Sequence, residues 1–144
     1  MRGFTLLELM VALAIAALLV VSMPFAVVKA YDSMQYRAAV RNVLTGLKYA
    51  RLEAMRLGRD VAFQVELESR EYGVEGRLER YPEQVELQLL VADSEGAATS
   101  AAIRFYPDGS STGGLIDILR PGGSGVRIQV DWLLGRISQR THEG

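Results

Sequence analysis

The chain of 144 residues carries 16 basic and 17 acidic side chains, a net charge of −1, and 49% of its residues are hydrophobic. This balance argues against the strongly basic class of nucleic-acid-binding proteins. The absence of cysteine excludes disulfide bonds and a thiol nucleophile, so an exported domain would depend on its hydrophobic core alone.

An apolar segment occupies residues 4–28. No charged residue occurs from Leu9 to Val28, and roughly 20 helical residues, each rising 1.5 Å, span the ~30 Å hydrocarbon layer of a membrane. We therefore predict a transmembrane or filament-core helix over 4–28. Glu8 lies at the start of this segment, where a carboxylate is costly unless it finds a partner, so we predict that it is functional.

Two other interpretations of this segment are open. It could be an ordinary uncleaved anchor in which Glu8 is incidental. A secretory signal peptide is disfavoured, because Glu8 would interrupt its apolar core and Val28, Lys29 and Ala30 form a poor cleavage site.

Residues 29–144 are enough for one small domain with its own core. Its first part is amphipathic, with apolar residues at helical spacing on one face: Val40, Val43, Leu47, Ala50, Ala54 and Leu57. Basic residues such as Arg51 lie off that face and are predicted to be solvated. Gly58 is predicted to cap the helix, so the anchor and this segment form one helix of about fifty residues.

After Gly58 the hydrophobic period changes to two, which predicts strands. The predicted strands cover 61–68, 72–78, 85–91, 103–106, a segment with Ile116 and Ile118 facing inward, 126–132 and 135–138. A surface loop is predicted over 93–100 and a polar tail over 141–144. The expected fold is α+β, a long amino-terminal helix packed on antiparallel strands.

An enzymatic function is not supported by these residues. The single histidine, His142, lies in the predicted tail, so a serine nucleophile would have no base. The glycine-rich turns have neither the lysine of a phosphate-binding loop nor its strand-to-helix context. Asp108 and Asp117 are too sparse for a calcium site, and we predict no metal and no cofactor.

The amino-terminal residues 2–8 (Arg-Gly-Phe-Thr-Leu-Leu-Glu) resemble the class III signal of type IV pilins and type II secretion pseudopilins. The resemblance implies that residues 1–3 are a leader, that a prepilin peptidase cuts between Gly3 and Phe4, and that the new amino terminus of Phe4 is methylated. It also implies that Glu8 pairs with the Phe4 amine of a neighbouring subunit. Such a pair would offset the cost of burying either charge alone.

Three further segments, residues 50–56, 105–114 and 130–136, are similar to the GspH/FimT branch of this superfamily. The segment 105–114 resembles the central hairpin of that branch. The implied fold is the pilin one, a long helix against two β-sheets. The lack of cysteine also favours a pseudopilin or minor pilin, since major pilins usually close a carboxy-terminal loop with a disulfide.

The implied function is that of a minor pseudopilin at or near the tip of a type II secretion pseudopilus, which helps to export folded proteins across the outer membrane. The implied location is the bacterial inner membrane, crossed once, with residues 29–144 in the periplasm. The implied partners are other minor pseudopilins, the major pseudopilin and the prepilin peptidase, with secreted cargo as a further candidate.

The alternative is a FimT-like minor pilin of a type IV pilus or DNA-uptake machine. Relatives on that side bind DNA through Gly-Arg-x-Arg near the carboxy terminus. Here Gly135 and Arg136 match, but Ser138 replaces the second arginine, and Arg140 would have to substitute for it on the same strand face. The broken motif and the negative net charge make nucleic acid the less favoured partner.

Overall fold

The computed structural model describes residues 4–91 and 100–142, and for 22–26 it describes the backbone without the side chains. The helix α1 (Leu6–Leu57) comes first. Within the described residues eight strands follow: β1 (Val61–Glu66), β2 (Glu71–Val74), β3 (Arg77–Arg80), β4 (Glu86–Leu90), β5 (Ser100–Phe105), β6 (Gly114–Leu119), β7 (Gly125–Val130) and β8 (Ile137–His142). This order confirms the predicted α+β class. The chain from Met1–Met34 forms one compact unit and Gln35–Gly144 forms a second.

Within the second unit, α1 buries the face that the helical spacing predicts, except for Leu57, which is 41% exposed at the end of the helix. Val43, Leu47, Ala50 and Ala54 are fully buried and share one hydrophobic core with residues of both sheets. Gly58 has a φ of +63° and its N–H donates to the carbonyl of Ala54 at 3.0 Å. This is a left-handed helix cap, so the predicted end of α1 is confirmed.

The eight strands form two antiparallel sheets. The first sheet has the order β3-β2-β1-β5 and the second has the order β4-β6-β7-β8. In chain order, β1 to β3 belong to the first sheet, β4 to the second, β5 again to the first, and β6 to β8 to the second. At one end of β6, the Tyr36 hydroxyl of α1 donates to the Ile118 carbonyl at 3.1 Å, and the guanidinium of Arg120 lies 4.1 Å from the centre of the Tyr36 ring.

The connection between β5 and β6 contains the predicted hairpin but also crosses from one sheet to the other. β5 pairs with β1 in the first sheet, whereas β6 pairs with β4 and β7 in the second. The segment between them first folds back on β5, because the N–H of Tyr106 donates to the Ser110 carbonyl at 3.0 Å and Phe105 bridges Ser111. The hairpin predicted over 105–114 is therefore present, and only after it does the chain cross to the second sheet, which turn chemistry alone cannot predict.

Several strand boundaries also differ from their predictions. β1 ends at Glu66, and Leu67 is exposed in the following turn instead of facing the core. The predicted strand over 72–78 is two strands, β2 and β3, with a turn between them. Thr141 and His142 belong to β8 instead of a tail. Most of the predicted loop over 93–100 lies outside the described residues, and Ser100 begins β5.

Gly46 marks a close contact between α1 and β1. A Cβ atom built there would lie 2.6 Å from Cε2 of the fully buried Phe63. We expect Gly46→Ala to lower the free energy of unfolding by about 1 kcal/mol, because overpacking a core costs about 1–3 kcal/mol and the gain in helix propensity returns only about 1 kcal/mol. Urea denaturation would measure this, with exposed Thr45→Ala as the control. A Gly46→Ala protein more stable than the parent would contradict the contact.

Candidate assembly surfaces

The amino end of α1 is capped by Thr5. The backbone N–H of Glu8 donates to the Thr5 hydroxyl oxygen at 3.2 Å, and the N–H of Leu9 donates to the Thr5 carbonyl at 3.1 Å. Glu8 thus lies in the first helical turn, where a negative charge is favourable. The cap was not predicted, although Thr5 followed three residues later by Glu8 is its usual sequence signature.

Phe4 and Glu8 are one helical turn apart in sequence, and the side chain of Phe4 is 83% exposed. Glu8 is exposed as well. Gly3, the other residue of the predicted processing site, lies outside the described residues. The capped start therefore presents an accessible amino-terminal segment with a carboxylate close to it in the chain.

The part of α1 that belongs to the first unit exposes large apolar side chains along its described length. They are Leu6, Leu7, Leu9, Met10, Val11, Leu13, Ile15, Leu18, Leu19, Val20, Val21, Val27, Val28, Tyr31 and Met34. A helix that is apolar around its circumference is stable when lipid or other apolar helices cover it.

In the ranges 4–91 and 100–142, no helix combines the length and the apolar character that crossing a membrane requires.

A second apolar surface lies on the turn over 131–135. Trp132, Leu133 and Leu134 are 66%, 59% and 58% exposed. The strand predicted over 126–132 ends earlier than expected, because β7 ends at Val130 and Trp132 lies in the turn that follows it. Both Leu133 and Leu134 donate their N–H to the Asp131 carboxylate, at 3.1 and 2.8 Å, so this side chain caps the turn.

Arg51 of α1 connects this turn to the crossover between the sheets. Its guanidinium donates from Nη2 to the Leu134 carbonyl at 2.9 Å and from Nε to the Gly109 carbonyl at 3.1 Å. The prediction that Arg51 belongs to a solvated helix face was wrong. Helix periodicity cannot reveal these contacts, because the acceptors lie 58 and 83 residues further along the chain.

We expect Arg51→Ala to lower the free energy of unfolding by about 2 kcal/mol, because each hydrogen bond from a charged donor contributes about 1.5–3 kcal/mol and this site is only partly buried. Arg51→Lys is the matched control, since an ammonium can reach one carbonyl but lacks the planar fork for both. We expect it to retain about half of the lost stability in urea denaturation. Equal stability of the alanine variant and the parent would contradict a structural role.

The two arginines of the DNA hypothesis lie just before the start of β8 and within it. Arg136 precedes β8 by one residue, whereas Arg140 lies within β8, opposite Arg127 of β7. Both side chains are exposed. Arg136 lines a cavity of about 350 Å³ between α1 and the start of β8. The N–H of Asp131 donates to the Arg136 carbonyl at 2.9 Å, so Arg136 continues the pairing of β8 with β7, and a joint role of Arg136 and Arg140 in DNA binding stays a prediction.

Asp117 is a buried carboxylate on the face of β6 opposite to Ile116 and Ile118. Arg127, its cross-strand partner, donates to both carboxylate oxygens at 2.7 Å. These hydrogen bonds hold the pKa of Asp117 below its ordinary value. Among residues 4–91 and 100–142, no three His, Cys, Asp or Glu side chains are grouped so that they could hold a metal. Asp117 is therefore held in a bidentate ion pair with Arg127.

Residues 39–134 match the family of the type II transport protein GspH. Residues 1–23 match the prokaryotic N-terminal methylation motif. The chain belongs to the GspH family. It is 30% identical over 142 residues to the type II secretion system protein H of Xanthomonas campestris pv. campestris, with 95% of this chain and 82% of that protein covered. These matches confirm the predicted resemblance and the predicted role of a minor pseudopilin in type II secretion.

Solved structures confirm the pilin-like fold. The type IV minor pilin FimU of Pseudomonas aeruginosa aligns with a TM-score of 0.60 at 14% identity, covering 78% of this chain and 96% of that one. The minor pseudopilin EpsH from the type 2 secretion system of Vibrio cholerae aligns with a TM-score of 0.51, also at 14% identity, covering 78% and 95%. At these identities the likeness concerns the fold alone.

Proposed function

We propose that this minor pseudopilin of the GspH family assembles at or near the tip of the type II secretion pseudopilus and helps to export folded proteins across the outer membrane. The observation that carries the proposal is the family match over residues 39–134 joined to a methylation motif over 1–23 in the same chain. The role is structural, and its specificity comes from surfaces and not from a catalytic group.

Maturation is the first step of the proposed function. The prepilin peptidase removes residues 1–3 by cutting between Gly3 and Phe4, and the new amino terminus of Phe4 is methylated. Glu8 then pairs with the Phe4 amine of a neighbouring subunit. The exposure of Phe4 and the position of Glu8 in the first turn of α1 support this pairing, since neither group is engaged deep in its own domain.

Before assembly, the helix over 4–28 holds the subunit in the inner membrane as a single pass, with residues 29–144 in the periplasm. During assembly the same apolar surface packs against the helices of the other minor pseudopilins and the major pseudopilin. The uncovered apolar side chains of the first unit support both environments, because lipid and neighbouring helices cover an apolar surface equally well. Secreted cargo is a further proposed partner of the periplasmic domain.

The test is crosslinking of the full chain in native membranes, followed by mass spectrometry of the neighbours and of the mature amino terminus. We expect pseudopilins as neighbours and a methylated Phe4 as the first residue. An unprocessed amino terminus, or neighbours drawn from a type IV pilus, would contradict the proposal.

The DNA-binding alternative has one supporting observation, the exposed Arg136 beside Lys48 and Arg51. It requires duplex DNA to bind the full chain in detergent with an affinity that falls steeply with salt, because each phosphate contact releases counterions. A double variant, Arg136→Ala with Arg140→Ala, would then reduce the salt slope by about two. Weak binding with a slope that the double variant leaves unchanged would rule this alternative out.

A further inference from the structure

We propose that the turn over 131–135 and the adjoining basic cavity form one docking surface for an acidic segment, bearing an apolar side chain, of a companion pilin-fold subunit. This docking surface consists of Trp132, Leu133 and Leu134 on the turn, Leu52 and Lys48 on α1, and Arg136 before β8. The inference rests on the proposed function, since it assigns a partner class to a subunit of an assembly.

The turn that carries the apolar side chains is firmly held. Besides the Asp131 cap, the N–H of Gly135 donates to the Asp131 carbonyl at 2.9 Å, and the N–H of Ser111 donates to the Trp132 carbonyl at 2.9 Å. The Ser111 hydroxyl donates to the Asp131 carbonyl at 3.0 Å. Trp132, Leu133 and Leu134 are thus presented to solvent by an ordered backbone, and a preorganised surface loses little conformational entropy on binding.

Exposed apolar side chains occur both on the turn and beside the cavity. Three consecutive residues of the turn are more than half exposed, and Leu52 of α1 is 63% exposed beside the cavity. Arg51 joins the two parts, because it lines the cavity and donates to the Leu134 carbonyl. Several exposed apolar side chains grouped beside charged ones are a usual mark of a protein-binding surface.

The charge of the cavity selects the partner. Of its lining residues, Lys48, Arg51 and Arg136 are cationic, Leu52 and Ile137 are aliphatic, and this lining contains no acid. Arg51 already uses its guanidinium on two backbone carbonyls, so Lys48 and Arg136 supply the positive rim. Complementary charge across an interface suppresses wrong partners and speeds association, which makes an acidic segment the matching ligand.

A protein segment fits this surface better than nucleic acid does. Binding to DNA depends on neutralising phosphates with basic side chains, and the rim offers only Lys48 and Arg136 for this. Leu133, Leu134 and Leu52 add apolar area that phosphates and sugars do not use. An acidic segment with one apolar side chain can pair with the cations and pack against the leucines.

The experiment places a photo-crosslinking amino acid at Leu133 of the full chain in native membranes, and the control places it at Leu90, which is equally exposed at 57%. We expect Leu133 to crosslink to an acidic peptide of one pilin-fold subunit, identified by mass spectrometry, and Leu90 to give no such product. Nucleic acid, lipid or a second copy of this chain as the main product at Leu133 would overturn the inference.

Charge reversal tests the cationic rim. We expect Lys48→Glu with Arg136→Glu to reduce the Leu133 crosslink about tenfold or more, and Lys48→Arg with Arg136→Lys to preserve it, because like charges at an interface are strongly repulsive. An undiminished crosslink in the reversed variant would overturn the inference. A crosslinker at Leu13 of α1 separates this result from the proposed function. Pseudopilin products at Leu13 without products at Leu133 would refute only the docking surface, and their absence at Leu13 would refute the proposed function.

Discussion

Replacing Glu8 by alanine is expected to leave removal of the leader largely intact and to reduce incorporation of the subunit into filaments about tenfold or more. Truncating one member of a buried charge pair leaves the other charge without compensation, and that penalty is usually large. In the isolated subunit Glu8 is exposed, so the loss should appear on assembly and not on folding. Crosslinking of α1 between subunits measures incorporation, and gel mobility measures cleavage.

Two variants separate the charge of Glu8 from its position in the cap. Glu8→Gln keeps the size and hydrogen-bonding capacity of the side chain but removes its charge, so we expect it to fail like Glu8→Ala. Thr5→Ala removes the hydroxyl that accepts from the Glu8 N–H and leaves the charge, so we expect nearly normal incorporation. Normal incorporation of Glu8→Gln would refute the pairing with the Phe4 amine.

Replacing Arg127 by methionine is expected to lower the free energy of unfolding more than Arg51→Ala or Arg56→Met does. The Asp117 side chain is only 4% exposed, whereas that of Arg127 is 37% exposed and covers it. Without Arg127 the carboxylate stays buried and unpaired, and breaking a buried ion pair from one side is strongly unfavourable. Urea denaturation at neutral pH would show the loss, which we expect to be several times that of Arg56→Met, because Arg56 is 68% exposed where it pairs with Glu53.

The same pair predicts a pH dependence. Because the pKa of Asp117 is lower in the folded chain than its ordinary value of 3.8, the ionised pair stabilises the fold above that value. The contribution is lost as the pH falls from 3.8 through the folded pKa. The Arg127→Met variant should lack this acid-dependent loss.

Asp117→Leu with Arg127→Met should regain most of the stability, since an apolar pair of similar volume removes the desolvation cost. A double variant as unstable as Arg127→Met would contradict this account.

The sequence predicted the features that depend on neighbours within a few turns of the chain. The buried face of α1 followed from apolar residues at three- and four-residue steps, and the structure buries Val43, Leu47, Ala50 and Ala54. The end of α1 followed from Gly58, which adopts the left-handed conformation that glycine favours. The methylation motif is also local, since its residues are contiguous in the chain.

The errors concern features for which local pattern is insufficient. Strand alternation correctly predicted that Ile116 and Ile118 face the core. It could not predict that Asp117, on the opposite face, is also buried, because the side chain of Arg127 on the next strand covers it. Trp132 continued the alternation of its strand by sequence, but the strand ends two residues earlier and the Asp131 cap turns the chain outward. The burial of Asp117 and the end of β7 are thus decided by a side chain or a turn, which the alternation of apolar and polar residues does not encode.

By itself the sequence determined the family, the long helix with its buried face and cap, the α+β class and the amino-terminal segment with Gly3, Phe4 and Glu8, because motif and hydrophobic period are written in consecutive residues. Only the tertiary structure decided that β5 and β6 belong to different sheets and that Arg51 holds the turn over 131–135. Those features arise from hydrogen bonds between residues far apart in the chain, and no local period records which distant strand or carbonyl a group will meet.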